Sequence, residues 1–242
     1  MTFLPILKTD SSNIPARILV VGDPNRLDVV AESLTDVIAI SHNREYRSIK
    51  GKFNGVEIGA VSHGVGSAGA GACFEELCIS GATRLVRSGS AGGMQADVGA
   101  GDIVIARAAV REEGLSHKLV PTSYPAIATP DVLLAMRSSA VSLGIDFHEG
   151  ILLTSDLFYP HDVLGSDLTL WQKAGVTAVE MEVATLFVIC GLHSVETGAV
   201  VAVDGNPLEQ DDGSMETYDP HQDKVKRAVE GSLQIALSAL IS

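Results

Sequence analysis

Apolar stretches of strand length alternate with helical patterns along this chain, and several of the strands end in polar, glycine-rich turns. Arg17 to Val21 runs into Gly22-Asp23-Pro24-Asn25-Arg26 and then a helical pattern through Leu27, Val30 and Leu34. Tyr46 to Ile49 and Val56 to Ser62 are strands joined around Asn54-Gly55, a hairpin signal. The second ends at His63, and Gly64 to Gly69 opens a helix lasting to about Ser80, with Gly81 as its C-cap. Further strands are predicted at Arg84 to Val86, Asp102 to Ala109, Phe147 to Thr154, Val176 to Val179 and Thr197 to Val203. Thr129-Pro130-Asp131 starts a helix to Leu143 with Thr129 as capping hydroxyl. Another helix stops at Gly191, and the last runs from about His221 to Leu240. Residues 208 to 219 are polar and acidic, a predicted mobile loop. This order predicts one α/β domain over residues 1–242 with a largely parallel sheet. Ligands of such sheets bind beyond the carboxyl ends of strands.

Composition narrows the partners. Apolar residues make up 46% of the 242, enough for a sizeable core, yet no run is long enough to cross a bilayer. The first residues lack a charged leader and a small-residue cleavage site, so a soluble, cytoplasmic protein is expected. The three cysteines, Cys73, Cys78 and Cys190, have no C-x-x-C spacing and are expected to be reduced and packed; no metal site is predicted. A formal net charge of −13 disfavours nucleic acid and anionic membranes as partners. A small anionic substrate must find its positive charge locally, which makes arginines beside glycine turns informative.

Residues 84 to 93, Arg-Leu-Val-Arg-Ser-Gly-Ser-Ala-Gly-Gly, hold the densest such signal. The reading is a strand ending near Val86, then a glycine-rich turn whose backbone N–H groups converge on an anion, beside Arg87 and the hydroxyl of Ser90. A guanidinium fork matches phosphate or carboxylate. Arg26 stands in a comparable strand-to-helix turn. Gly64 to Gly69 also spells G-x-G-x-x-G after a strand and before a helix, the dinucleotide fingerprint. The acid that should follow to hold a ribose hydroxyl is missing, and Arg87 and Ser88 end the next strand instead, which leaves an NADP-binding oxidoreductase as a distant alternative. Glu180-Met181-Glu182 sets two carboxylates around an apolar residue at a strand end. That suits a sugar with vicinal hydroxyls, and equally the first turn of a helix. Asp204 follows an uncharged strand, where desolvation raises a carboxyl pKa towards general-acid use; it is also a common turn opener. His63 and Tyr159 are weaker candidates, each compatible with simple packing.

With these residues in hand, the chain resembles the nucleoside phosphorylase family that includes hexameric purine nucleoside phosphorylases and uridine phosphorylases. The resemblance rests on Val-Val-Gly-Asp-Pro-Asn-Arg (20–26), Asn-Arg-Glu-Tyr (43–46), Ser-His-Gly-Val-Gly-Ser-Ala-Gly (62–69), Arg-Ser-Gly-Ser-Ala-Gly (87–92), Val-Glu-Met-Glu (179–182) and Val-Asp-Gly (203–205). The wording is most like the protozoan-parasite branch of the purine enzymes. It implies a three-layer fold, a mixed sheet flanked by helices, and reversible phosphorolysis of inosine and guanosine without metal or organic cofactor. Gly22, Arg26, Arg87 and Ser90 would bind phosphate, and Arg44 would reach the phosphate of a neighbouring subunit in a homohexamer. Glu182 would hold the ribose 2′- and 3′-hydroxyls. Met181 would line the sugar, with Val179, Glu180 and Tyr159 around the nucleoside. Asp204 would protonate purine N7.

The chain departs from that pattern in places. Ile6 stands where the parasite branch carries a histidine for the 5′-hydroxyl, Gln210 stands near the position of its loop tryptophan, and residues 205 to 223 contain no Lys or Arg to pair with Asp204. The last point argues against efficient adenosine cleavage. Residues 155 to 170 contain no glutamine-and-arginine pair of the kind that reads uracil, so uridine phosphorylase is a rival rather than the expectation. A hydrolytic nucleosidase of the same fold is another.

Overall fold

The computed structural model describes residues 2–161, 163–208 and 222–242. A small ribbon pairs β1 (Phe3–Leu4) with β2 (Thr9–Asp10). The main sheet and its helices follow in chain order. They are β3 (Arg17–Val21), α1 (Arg26–Glu32), β4 (Thr35–Asn43), β5 (Tyr46–Phe53), β6 (Val56–Ser62), α2 (Ser67–Ile79) and β7 (Arg84–Gly93). Next come β8 (Ile103–Glu112), α3 (Ser116–Leu119), β9 (Ala126–Ile127), α4 (Pro130–Leu143) and β10 (His148–Ser155). The chain closes with α5 (Leu168–Lys173), β11 (Ala178–Glu180), α6 (Val183–Leu192), β12 (Glu196–Gly205) and α7 (Asp223–Ile241).

The sheet is mixed and runs β11-β10-β8-β12-β7-β3-β6-β5-β4. Its centre is parallel, with β7 between β12 and β3 and β6 beyond. β5 and β4 add on antiparallel, as does β12 to β8. β11 also pairs back onto β7, so β7, β12, β8, β10 and β11 close into a ring. That closure carries Glu180 from the edge of the sheet back towards the middle of β7.

Strand alternation divides the core in two. Leu85, Val104, Ala106, Val201 and Val203 face one side with Phe74 of α2 and Phe187 of α6. Val86, Ile105, Val200 and Ala202 face the other, under α1, α4 and α7. A sheet buried on both faces needs near-continuous apolar strands, which the sequence supplies. The hairpin at Asn54-Gly55 is as predicted: both residues have positive φ, 48° and 82°, and Phe53 pairs with Val56. Gly81, at φ 97°, ends α2 as expected. All three cysteines are buried and free. Among the described residues no helix is long and apolar enough to cross a membrane.

Other elements differ from the expectation. β7 continues through Gly93 where a turn was predicted after Val86. β4 was not predicted at all; it is an edge strand with mostly exposed residues, so it lacks an apolar alternation to read. Thr129 does not cap α4 with its hydroxyl, which accepts the Thr197 N–H at 2.9 Å instead. The predicted loop, apart from residue 208, lies outside the described residues, as do Gln210 and His221.

Candidate active site

The ends of β3, β6, β10, β11 and β12, together with the second half of β7, surround a cavity of about 590 Å³. That volume suits a ligand of nucleoside size. Gly22, Arg26, Arg87, Ser90, Val179, Glu180, Met181, Glu182 and Asp204 all line it. The structure thus brings together residues drawn from four separate stretches of sequence.

Arg87 lies at the centre, only 3% exposed, on the strand of the sheet that β3 and β12 flank. Its side chain runs along its own strand and over Gly89, where a β-carbon would come within 2.0 Å of Nη1. A side chain at position 89 would have to displace that guanidinium. Space is also tight further along, where a β-carbon on Gly92 would meet Pro207 at 2.9 Å and one on Gly93 would meet the Val98 carbonyl at 2.0 Å. This corrects the predicted anion-cradling turn. The glycines sit in an extended strand, and they let an arginine, a proline and a backbone carbonyl approach it.

Carboxylates hold the guanidinium in place. Nη2 donates to Glu182 Oε2, and Nη1 lies 3.5 Å from Glu180 Oε2. Nε points to His63 Nε2 at 3.4 Å. Burial, then the charge of Arg87, pushes the His63 pKa well below its ordinary value, so the ring is neutral. Arg87 Nη1 has no hydrogen-bond acceptor among the described residues. It is a buried donor in the lining of the cavity, and an incoming anion would satisfy it.

Each carboxylate also rests on a helix N-terminus. Glu180 accepts the N–H of Glu182 at 2.8 Å and that of Val183 at 3.0 Å, at the start of α6. The Thr154 hydroxyl donates to Glu180 Oε1 at 2.6 Å and itself accepts the Ala184 N–H at 2.9 Å. Burial still pushes the Glu180 carboxyl above the ordinary range, against the pull of Arg87 and these donors. Both readings of Glu180 from sequence thus meet here: it lines the cavity and caps the helix. Glu182 accepts the Gly66 N–H at the start of α2 at 2.6 Å. Favourable helix dipoles and a shared cation together make two buried acids tolerable.

Around this group, Arg26 Nη2 donates to Ser90 Oγ at 2.5 Å, which places both on the same side of the cavity. Asp204 lines the cavity at the end of β12, followed by a segment that is pinned down. Asn206 donates to the Gln95 carbonyl at 3.3 Å and accepts the Leu208 N–H at 2.9 Å.

Two predicted residues stand away from the cavity lining in a single subunit. Arg44 is exposed in the turn between β4 and β5, with φ 57°. Tyr159 is 73% exposed and packs edge-on against Phe158, whose ring does line the cavity. The sequence reading passed over Glu45, Ser155, Leu168 and Asn206, all of which line it. Ser155 and Asn206 follow apolar strands, the same signal that marked Asp204; Glu45 and Leu168 carried none.

Comparison with known proteins places the chain among relatives. The profile described as the Phosphorylase superfamily matches residues 16–242. A purine nucleoside phosphorylase of Plasmodium falciparum is 40% identical over 235 residues, covering 96% of this chain and 94% of the relative. A uridine phosphorylase of Thermococcus kodakarensis is 36% identical over 210 residues, covering 81% of this chain and 75% of the relative. The crystal structure of purine nucleoside phosphorylase from Toxoplasma gondii in complex with immucillin-H superposes with a TM-score of 0.94 at 32% identity, covering 99% of this chain and 96% of that one.

Proposed function

The chain belongs to the Phosphorylase superfamily and is related to its nucleoside phosphorylases, and from that premise we propose that it catalyses the reversible phosphorolysis of purine nucleosides, with inosine and guanosine as substrates. The observation that carries the reading is the meeting of Arg87 with Glu182 in the floor of one cavity. A buried cation with an unsatisfied donor beside Arg26 and Ser90 suits an anion. A carboxylate held next to it suits a diol. Phosphate and a ribose therefore fit side by side, with the attacking oxygen close to C1′.

In this reading Gly22, Arg26, Arg87 and Ser90 bind phosphate, the co-substrate. Glu182 accepts the ribose 2′- and 3′-hydroxyls, and Met181 and Val179 line the sugar and base. Glu180 contributes by bracing Arg87 and the start of α6. Cleavage of the N-glycosidic bond leaves positive charge on the sugar and negative charge on the departing purine. A phosphate oxygen attacks C1′ to give ribose 1-phosphate. Asp204, as general acid, gives its proton to N7 as the base leaves, and the base departs neutral. Arg44 acts across a subunit boundary in a homo-oligomer, a hexamer by resemblance, which accounts for its position outside the cavity of one chain, and Tyr159 borders the nucleoside from the rim beside Phe158.

Relatives of both base classes match this chain, so base preference is the property to measure. We expect kcat/KM for inosine and guanosine to exceed that for uridine by roughly two orders of magnitude, the scale on which a largely apolar pocket discriminates between ligands of different size. A higher value for uridine would assign the chain to the pyrimidine side of the family.

A further inference from the structure

The Gly64–Gly69 segment has the spacing of a dinucleotide cradle, and in the fold it is turned towards the chain's own Met181 and Glu182, between β11 and α6. The Gly66 N–H donates to Glu182 Oε1 at 2.6 Å, and the Ser67 hydroxyl donates to the Met181 carbonyl at 2.6 Å. Ser67 is 1% exposed. Gly66 has φ 92°, a conformation that L side chains rarely adopt, and this aims its N–H at the carboxylate. These bonds tie the start of α2 to the junction between β11 and α6.

We propose that Gly66 and Ser67 are positioning residues for ribose recognition, fixing Glu182 and Met181 so that the carboxylate is presented to a vicinal diol. The inference rests on the nucleoside reading given above. A carboxylate has about four lone-pair directions on two oxygens. Gly66 occupies one on Oε1 and Arg87 occupies one on Oε2. One direction on each oxygen is left, and a pair of neighbouring hydroxyls can use both at once. Rotation of the carboxylate would destroy that match. Gly66 and Arg87 oppose rotation from two sides, and Ser67 holds the backbone that carries the side chain. A 2′-deoxyribose offers only one of the two hydroxyls, so it gains less from a fixed carboxylate.

The test compares inosine with 2′-deoxyinosine in the wild type, Ser67→Ala and Gly66→Ala. It uses calorimetric binding without phosphate and kcat/KM at saturating phosphate. Loss of the Ser67 hydrogen bond should weaken inosine about tenfold while 2′-deoxyinosine weakens no more than about twofold. The KM for phosphate should change less than inosine affinity, because Arg26 and Ser90 keep their own bond and only Arg87 is shared with Glu182. Gly66→Ala strains the backbone without meeting any neighbour within 4 Å, so it should fold and reproduce the pattern should Ser67→Ala not fold. Equal weakening of both nucleosides, or no change in either variant, would overturn the positioning role. A wild type that binds both nucleosides equally would overturn the diol reading beneath it, whereas a wild-type preference kept intact in both variants overturns only the role of Gly66 and Ser67.

Discussion

The wall of the cavity that carries Arg87, Glu180 and Glu182 is buried and cross-linked by hydrogen bonds, whereas the rim that carries Leu157, Phe158 and Tyr159 is 56%, 52% and 73% exposed. Both regions line or border the same site. On the wall each charged group has partners from elements far apart in sequence, so its geometry is over-determined by the fold. On the rim the side chains are apolar and stand in solvent, so a single chain does little to fix them. The difference separates residues that serve stability and chemistry together from residues whose contribution depends on what covers them.

The comparison breaks most visibly at Arg87. Arg87→Ala leaves Glu180 and Glu182 buried without their cation, and removing one partner of such a group costs about 3–5 kcal/mol. Denaturant unfolding should show that loss together with loss of phosphate-dependent turnover. A variant as stable as the wild type would mean that the wall is hydrated rather than buried. Asp204→Asn separates chemistry from stability: inosine turnover should fall about 10²–10⁴-fold with little change in affinity. A nucleoside whose base leaves readily as an anion should be spared most of that loss. An equal fall for both substrates would make Asp204 an orienting residue.

Smaller effects sharpen the contrast. His63 is neutral in the fold and has an ordinary value of 6.5 when unfolded. With the folded value depressed, its contribution is complete above pH 6.5 and is lost as pH falls below it. The unfolded state then binds the extra proton, so stability declines by up to about 1.4 kcal/mol per pH unit from this group. Wild type should therefore lose more stability than His63→Gln between pH 6.5 and pH 5; parallel curves would mean that His63 titrates normally. Arg44→Ala should leave stability within about 0.5 kcal/mol, since the residue is exposed. It should raise the phosphate KM roughly tenfold, the scale of one charge-assisted hydrogen bond. Mixed oligomers of Arg44→Ala and Arg87→Ala subunits should recover activity, and their failure to do so would remove the shared site. Tyr159→Ala is expected to change stability least, within about 0.5 kcal/mol; a larger loss would place the rim inside the folded core.

Much of the wall was legible in the sequence because apolar strands ending in charged residues are unusual. Arg87, Glu180, Glu182 and Asp204 all carried that mark, and all line the cavity. The glycines between 89 and 93 were read for the wrong property. Sequence shows that a glycine is present, while only the packed strand shows that Arg87 lies across Gly89. Gly66 and Ser67 stood out only within a dinucleotide fingerprint kept as a distant alternative and within the 62–69 motif, since a backbone N–H aimed at a carboxylate 116 residues away leaves no local trace. β4 was invisible because an exposed edge strand has no buried face to impose a pattern.

In the proposed reaction the cation on the buried wall serves a phosphate that takes part in the chemistry. Base release from inosine, followed with and without inorganic phosphate and with the sugar product identified, tests it directly. Hypoxanthine and ribose 1-phosphate are expected in phosphate, with almost no base release without it. Equal release of hypoxanthine in phosphate-free buffer, with free ribose as the product, would contradict this and make water the nucleophile.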